Sequence, residues 1–126
     1  AYSGVENLTL SLAIADNGDS SETTNIMATY DIGDFALSFE NVDSDGFDSD
    51  TDMDVDVFAV AYGMGDTTVA VRLVDGTINT QDYEKFSIAA FHSLSDNVAV
   101  GAEFSDGQLG AAGESKGFGV ELLYVF

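Results

Sequence analysis

The sequence predicts an all-β protein, an antiparallel up-and-down β-barrel that spans a membrane, with about eight strands in a single domain of residues 1–126. Three observations predict this fold: apolar residues that alternate with polar or small ones, short turns that follow aromatic residues, and a last segment that is apolar at every second position up to Phe126. A period of two places all the apolar side chains of a strand on one face. Membrane barrels combine such strands with aromatic residues at the membrane boundary.

The predicted strands differ in how regularly they alternate. Leu8 to Ile14 and Val98 to Phe104 are apolar at each second position. Segments 24–32, 55–63 and 83–93 alternate less regularly, so the sequence leaves open which of their side chains share a face. The predicted strands are 7–15, 24–32, 34–42, 55–63, 67–75, 83–93, 97–105 and 117–126.

The connections between these segments alternate in length. Tyr30–Asp34, Tyr62–Asp66 and Phe91–Asp96 are short turns, each introduced by an aromatic residue. Long polar connections are predicted at 16–23, 41–54, 75–82 and 105–116. In outer-membrane barrels short turns face the periplasm and aromatic residues mark the interface. The interface aromatics predicted here are Tyr30, Tyr62, Phe91, Tyr124 and Phe126.

Composition excludes several classes of function. The net charge is −20, and Arg72, Lys85 and Lys116 are the only lysine or arginine residues, so nucleic acid is excluded as a partner because its phosphates would be repelled. The chain has no cysteine, which rules out a disulfide framework and a thiolate site. His92 is the sole histidine and adjoins a predicted turn, where an interfacial ring is the ordinary interpretation. The sequence therefore does not predict an enzyme.

One acidic segment raises the question of a metal site. Its carboxylates follow one another closely and offer the hard oxygen ligands that calcium prefers. The segment lacks the EF-hand order, because Gly46 follows the second aspartate and the closing glutamate is missing. A solvated loop is the ordinary interpretation of such a run; a calcium site is the functional one, and no other cofactor is expected. The candidate ligands are Asp43, Asp45, Asp48, Asp50 and Asp52.

Four segments resemble the general diffusion porins of bacterial outer membranes, particularly the alphaproteobacterial type. They are Ala1–Leu10, Ala28–Asp34, Ala61–Val69 and the strand that ends at Phe126. The resemblance implies a homotrimer of sixteen-stranded, water-filled barrels that lies in outer-membrane lipid and passes small hydrophilic solutes. Eight strands are about half of such a barrel. The start of the chain looks like the end of another strand, so we expect this chain to represent the C-terminal half.

The side chains predicted to lie inside the barrel are mostly small, and a closed eight-stranded barrel needs larger ones to fill its interior. The charges predicted to line a wide, wet lumen are Glu40, Arg72, Glu103 and Glu121, whose excess of acid predicts cation preference. A small closed eight-stranded barrel with a structural or adhesive role through acidic loops remains an alternative. A soluble acidic β-sandwich is another, since its strands alternate in the same way.

Overall fold

The computed structural model describes residues 5–18, 21–47 and 51–124. In these residues eight strands form one antiparallel sheet in which each strand pairs with the next along the chain. This confirms the predicted all-β, up-and-down arrangement. No helix in the described ranges has the length and hydrophobicity of a membrane span. The strands are β1 (Leu8–Gly18), β2 (Ser21–Ile32), β3 (Phe35–Phe47), β4 (Thr51–Met64), β5 (Thr67–Ile78), β6 (Gln81–Ser95), β7 (Val98–Leu109) and β8 (Glu114–Tyr124).

Tight turns join three pairs of strands at one end of the sheet, here called the turn end. Gly33-Asp34, Gly65-Asp66 and Asp96-Asn97 connect β2 to β3, β4 to β5 and β6 to β7. Gly33 and Gly65 have φ of 58° and 60°, which glycine adopts without steric cost. The first two turns lie within the predicted short connections, and the third extends one residue beyond the predicted Phe91–Asp96, to Asn97.

The opposite end, here called the acidic end, corrects the prediction of long loops. β5 continues to Ile78 and β6 begins at Gln81, so Asn79 and Thr80, with φ of 50° and 65°, form a two-residue turn where 75–82 was expected to be a loop. Both residues have the positive φ that a type I′ hairpin requires. β3 and β4 likewise extend into 41–54, and β7 is followed by a 3₁₀ turn at Gly110–Ala112. The strands continue here because polar outward residues alternate with apolar inward residues.

The sheet has two unpaired edges in the described residues. β1 pairs with β2 and β8 pairs with β7, but β1 and β8 do not pair with each other. The small closed eight-stranded barrel that the sequence left open as an alternative is therefore not the arrangement that the described residues adopt.

The pairing register divides the sheet into two faces, because residues directly opposite each other in neighbouring strands point to the same side. We call the more crowded face the inner face. Among the described residues, its members include the four buried side chains of Val55, Val74, Ser44 and Ser87. The other is the outer face, on which most of the exposed large apolar side chains lie.

Candidate functional site

An apolar band covers the outer face between the two ends of the sheet. One row of directly opposed residues runs through seven strands and is apolar throughout: Tyr30, Leu37, Val60, Val71, Ile88, Phe104 and Phe118. Most of this row is exposed, from 37% for Tyr30 to 75% for Phe118 on the edge strand β8. A contiguous apolar surface of this kind marks contact with a membrane or a partner rather than with water.

Carboxylates take over the outer face at the acidic end. In β5, Val69, Val71 and Leu73 point outward in succession and are followed on the same face by Asp75. Asp75 lies directly opposite Asp56 in β4 and Glu84 in β6. We call these outward carboxylates the acidic belt: Asp43, Asp54, Asp56, Asp75, Asp82, Glu84, Asp106 and Glu114.

Like charges that lie directly opposite each other are unfavourable, and two groups relieve the belt. The Asn41 side-chain amide donates to Asp56 Oδ1 at 2.9 Å and to Asp54 Oδ1 at 3.2 Å. Lys116 Nζ lies 3.3 Å from Asp106 Oδ2 and 3.5 Å from Glu114 Oε2. The other four carboxylates of the belt, on Asp43, Asp75, Asp82 and Glu84, have no such donor in the described residues, so they need water and counterions around them.

A row of phenylalanines separates the apolar band from the acidic belt. On five strands, the last apolar outward residue before the acidic end is a phenylalanine. These residues are Phe39, Phe58, Phe86, Phe104 and Phe118. The Phe39 and Phe58 rings pack with centroids 4.8 Å apart. Sequence analysis missed this second aromatic row, although each ring is two residues from a polar outward neighbour. Aromatic rows at both borders of an apolar band are typical of membrane barrels.

The aromatic residues predicted at the other border are placed only in part as expected. Tyr30, Tyr62 and Tyr124 lie on the outer face, and the Tyr62 ring stacks on Phe35 with centroids 4.4 Å apart. Phe126 lies outside the described residues. The prediction for Phe91 is wrong: this residue pairs with Thr68 and Gly101 on the inner face, so it does not face lipid. Its neighbour His92 is outward instead, with Nδ1 2.8 Å from Thr67 Oγ1.

The charges predicted to line a lumen all lie on the inner face. Glu40 accepts a hydrogen bond of 2.6 Å from the Asn25 side-chain amide. Arg72, Glu103 and Glu121 are exposed and have no ion-pair partner in the described part of the chain. Lys85 also lies on this face, opposite Val74 and Gly107, and was missed because segment 83–93 alternates irregularly.

Most uncharged inner-face residues at the level of the apolar band are small, and Phe91 is an exception. The small residues leave open space beside the inward charges instead of filling it, which is the arrangement of a polar wall rather than of a dry core. These small inward residues include Ser38, Ala59, Ala61, Ala70, Ala89, Gly101 and Gly119.

At the acidic end the inner face is mostly apolar on β3, β4 and β5. Val55 and Val74 are only 7% and 8% exposed and lie among other inward apolar residues, while the outer face of the same strands is acidic. On these three strands the two faces therefore exchange polarity. The inward apolar residues at this end are Val42, Met53, Val55, Val57, Val74 and Ile78.

The candidate calcium ligands do not converge where they are described. Asp43 and Asp45 lie on β3 and Asp52 lies on β4, and the backbone N–H of Asp52 donates to Asn79 Oδ1 at 2.9 Å. Asp48 and Asp50 lie outside the described residues. In the described ranges no three acidic or histidine side chains are grouped to hold a metal ion. Calcium binding stays a prediction.

Comparison with known proteins identifies a family for this chain. The family model for Gram-negative porins matches residues 1–111, which is most of the chain and includes strands β1 to β7. No curated protein matches the sequence. An apolar outer band, aromatic borders and an inner face of small and charged residues are what a channel wall in an outer membrane requires. The chain therefore belongs to the Gram-negative porin family.

Proposed function

We propose that this chain forms wall strands of a water-filled channel that passes small hydrophilic solutes by diffusion and prefers cations. The observation that supports this most strongly is the opposite character of the two faces at the level of the apolar band. Lipid contact suits the outer face, whereas unpaired charges among small side chains on the inner face need water. The channel acts by lining a path, and no catalytic step is involved.

The open edges of the sheet support a barrel wider than eight strands. In a lipid bilayer each unpaired backbone N–H and C=O costs several kcal/mol, so spanning strands need partners on both sides. Further strands must then pair with β1 and β8, and a barrel of sixteen strands would leave an aqueous lumen. The small inner side chains fit that wide lumen better than a filled interior.

Cation preference rests on the charges of the inner face. Among the described strand residues this face has four carboxylates, on Asp31, Glu40, Glu103 and Glu121, and two cationic groups, on Arg72 and Lys85. An excess of one sign along a pore raises the local concentration of the opposite ion.

We also propose a homotrimer in the bacterial outer membrane, as the resemblance to general diffusion porins implies. Outward Ala90 and Ala102 lie directly opposite each other in β6 and β7 and offer a place where another wall could approach closely. Cross-linking of the native protein in its membrane tests this assembly.

Single-channel conductance of the native protein in a planar bilayer, under a salt gradient, tests the proposed function. We expect large, stable steps with a reversal potential that indicates cation preference. Glu103→Gln should reduce that preference because it removes an inward negative charge while the size of the side chain stays the same. Glu84→Gln, which removes a charge from the outer face, serves as a matched control. A silent membrane after verified insertion would contradict the channel, and unchanged selectivity in Glu103→Gln would remove Glu103 from the pore.

A further inference from the structure

A cavity of about 160 Å³ opens on the inner face between β6, β7 and β8. Its walls include the ring of Phe91 and the side chains of Glu103 and Glu121, and two glycines, Gly101 and Gly119, provide its floor. Phe91, Gly101 and Glu121 form one row of directly opposed residues, and Glu103 lies opposite Gly119 in the next row.

The missing side chain of Gly101 brings the ring and the carboxylate together. A Cβ atom at Gly101 would lie 2.7 Å from the Phe91 ring and 3.0 Å from Glu121 Cγ, so both side chains lean over this glycine. Gly101 itself is buried beneath them. A Cβ atom at Gly119 would meet nothing within 4 Å, which leaves space beside Glu103.

The chemistry of this cavity favours an organic cation over a metal ion. Two exposed carboxylates without ion-pair partners in the described residues offer charge-assisted hydrogen bonds to N–H donors. Phe91 adds an aromatic ring to the cavity lining, and aromatic rings attract positive charge. A guanidinium group combines weak hydration with planar N–H donors, whereas a small hard ion gains little from an aromatic ring.

We infer that the cavity formed by Phe91, Gly101, Glu103, Gly119 and Glu121 is a binding site on the channel wall for small organic cations with a guanidinium or ammonium group. The inference rests on the proposed function and names a class of solute for that channel. A solute held here contacts the wall through its cationic group while the rest of the molecule stays in the lumen.

Saturation-transfer NMR on the purified native protein in detergent tests the site without requiring a conducting pore. The probe is ethylguanidinium chloride, and ethylurea is its neutral counterpart of similar size. We expect saturable transfer to ethylguanidinium and none to ethylurea. The double variant Glu103→Gln/Glu121→Gln should weaken binding by about tenfold or more, and Phe91→Leu by about threefold because it removes the ring and keeps an apolar side chain.

Glu84→Gln, which removes an outward carboxylate of the acidic belt, is the matched control and should leave ethylguanidinium binding unchanged. If the double variant does not fold, Glu121→Gln alone tests the same direction. No saturable binding to the wild-type protein, or equal binding in Glu121→Gln, would overturn the site. Conductance on the same preparation separates the two proposals: conduction without ethylguanidinium binding rejects this site alone, whereas binding without conduction supports the site and rejects the channel.

Discussion

The middle of the sheet and its acidic end are built from the same strands, but on β3, β4 and β5 the polarity of the inner and outer faces is reversed between them. In the middle of β5, Val71 points outward and Arg72 points inward. Asp75, four residues after Val71, also points outward, but its neighbour Val74 is inward and buried. The difference teaches that the surroundings of the outer face change from lipid to water along β5, while β5 stays paired with β4 and β6 without a register shift.

The largest expected effect on stability comes from comparing a lysine in the apolar band of β5 with a lysine at its acidic end. Val71→Lys should lower the free energy of unfolding by about 2–4 kcal/mol, because a cation in the middle of a lipid-facing band is strongly unfavourable. Thr77→Lys, on the same face of the same strand, should cost only about 0–1 kcal/mol. Denaturant unfolding of the native protein in lipid vesicles measures both, and equal costs would break the comparison.

A second pair of variants compares the inner face at the acidic end with the inner face at the level of the apolar band. Val74→Asn should cost about 2 kcal/mol, because it puts an unpartnered amide into a buried apolar site. Ala70→Asn, inward on the same strand at the level of the band, should change stability by less than about 0.5 kcal/mol if water lies beside it. The same unfolding experiment applies, and a large cost at position 70 would indicate a dry interior there.

A smaller effect is expected from the phenylalanine row that separates the two regions. Phe39 and Phe58 pack with ring centroids 4.8 Å apart. A double-mutant cycle with Phe39→Leu and Phe58→Leu should give a coupling energy of about 0.5–1.5 kcal/mol. Additive effects of the two substitutions would show that the rings do not stabilise the border as a pair.

The change of surroundings also explains how far sequence analysis could go. The turns at Gly33 and Gly65 were predictable because alternation stops there and glycine begins a turn. The inward positions of Glu40, Arg72, Glu103 and Glu121 followed from apolar neighbours that alternate strictly. The acidic end was predicted as loops because the apolar residues change sides there. In the band they are the outward residues, whereas at the acidic end the outward residues are acidic and the inward ones are apolar, so the apolar alternation does not continue in phase.

Phe91 and Lys85 show what a single strand cannot reveal. Segment 83–93 contains large residues at both sets of alternate positions, so its periodicity does not decide its facing. The structure decides it through the partner strands, which place Phe91 opposite Gly101 and Lys85 opposite Gly107. The cavity over Gly101 could not be predicted for the same reason, since it depends on residues from three strands that meet only through the register.

Site-directed spin labelling along β5 tests the central claim most directly, because the chain has no cysteine and single cysteines can be introduced at will. Labels at positions 69, 71 and 73 should be accessible to oxygen in lipid vesicles, and labels at 75 and 77 to a water-soluble nickel complex. Labels at 70 and 72 should also be accessible to the nickel complex, although they lie at the depth of the lipid-facing band. Accessibility to oxygen at 70 and 72, or no change between 73 and 75, would contradict a wall with lipid outside and water inside.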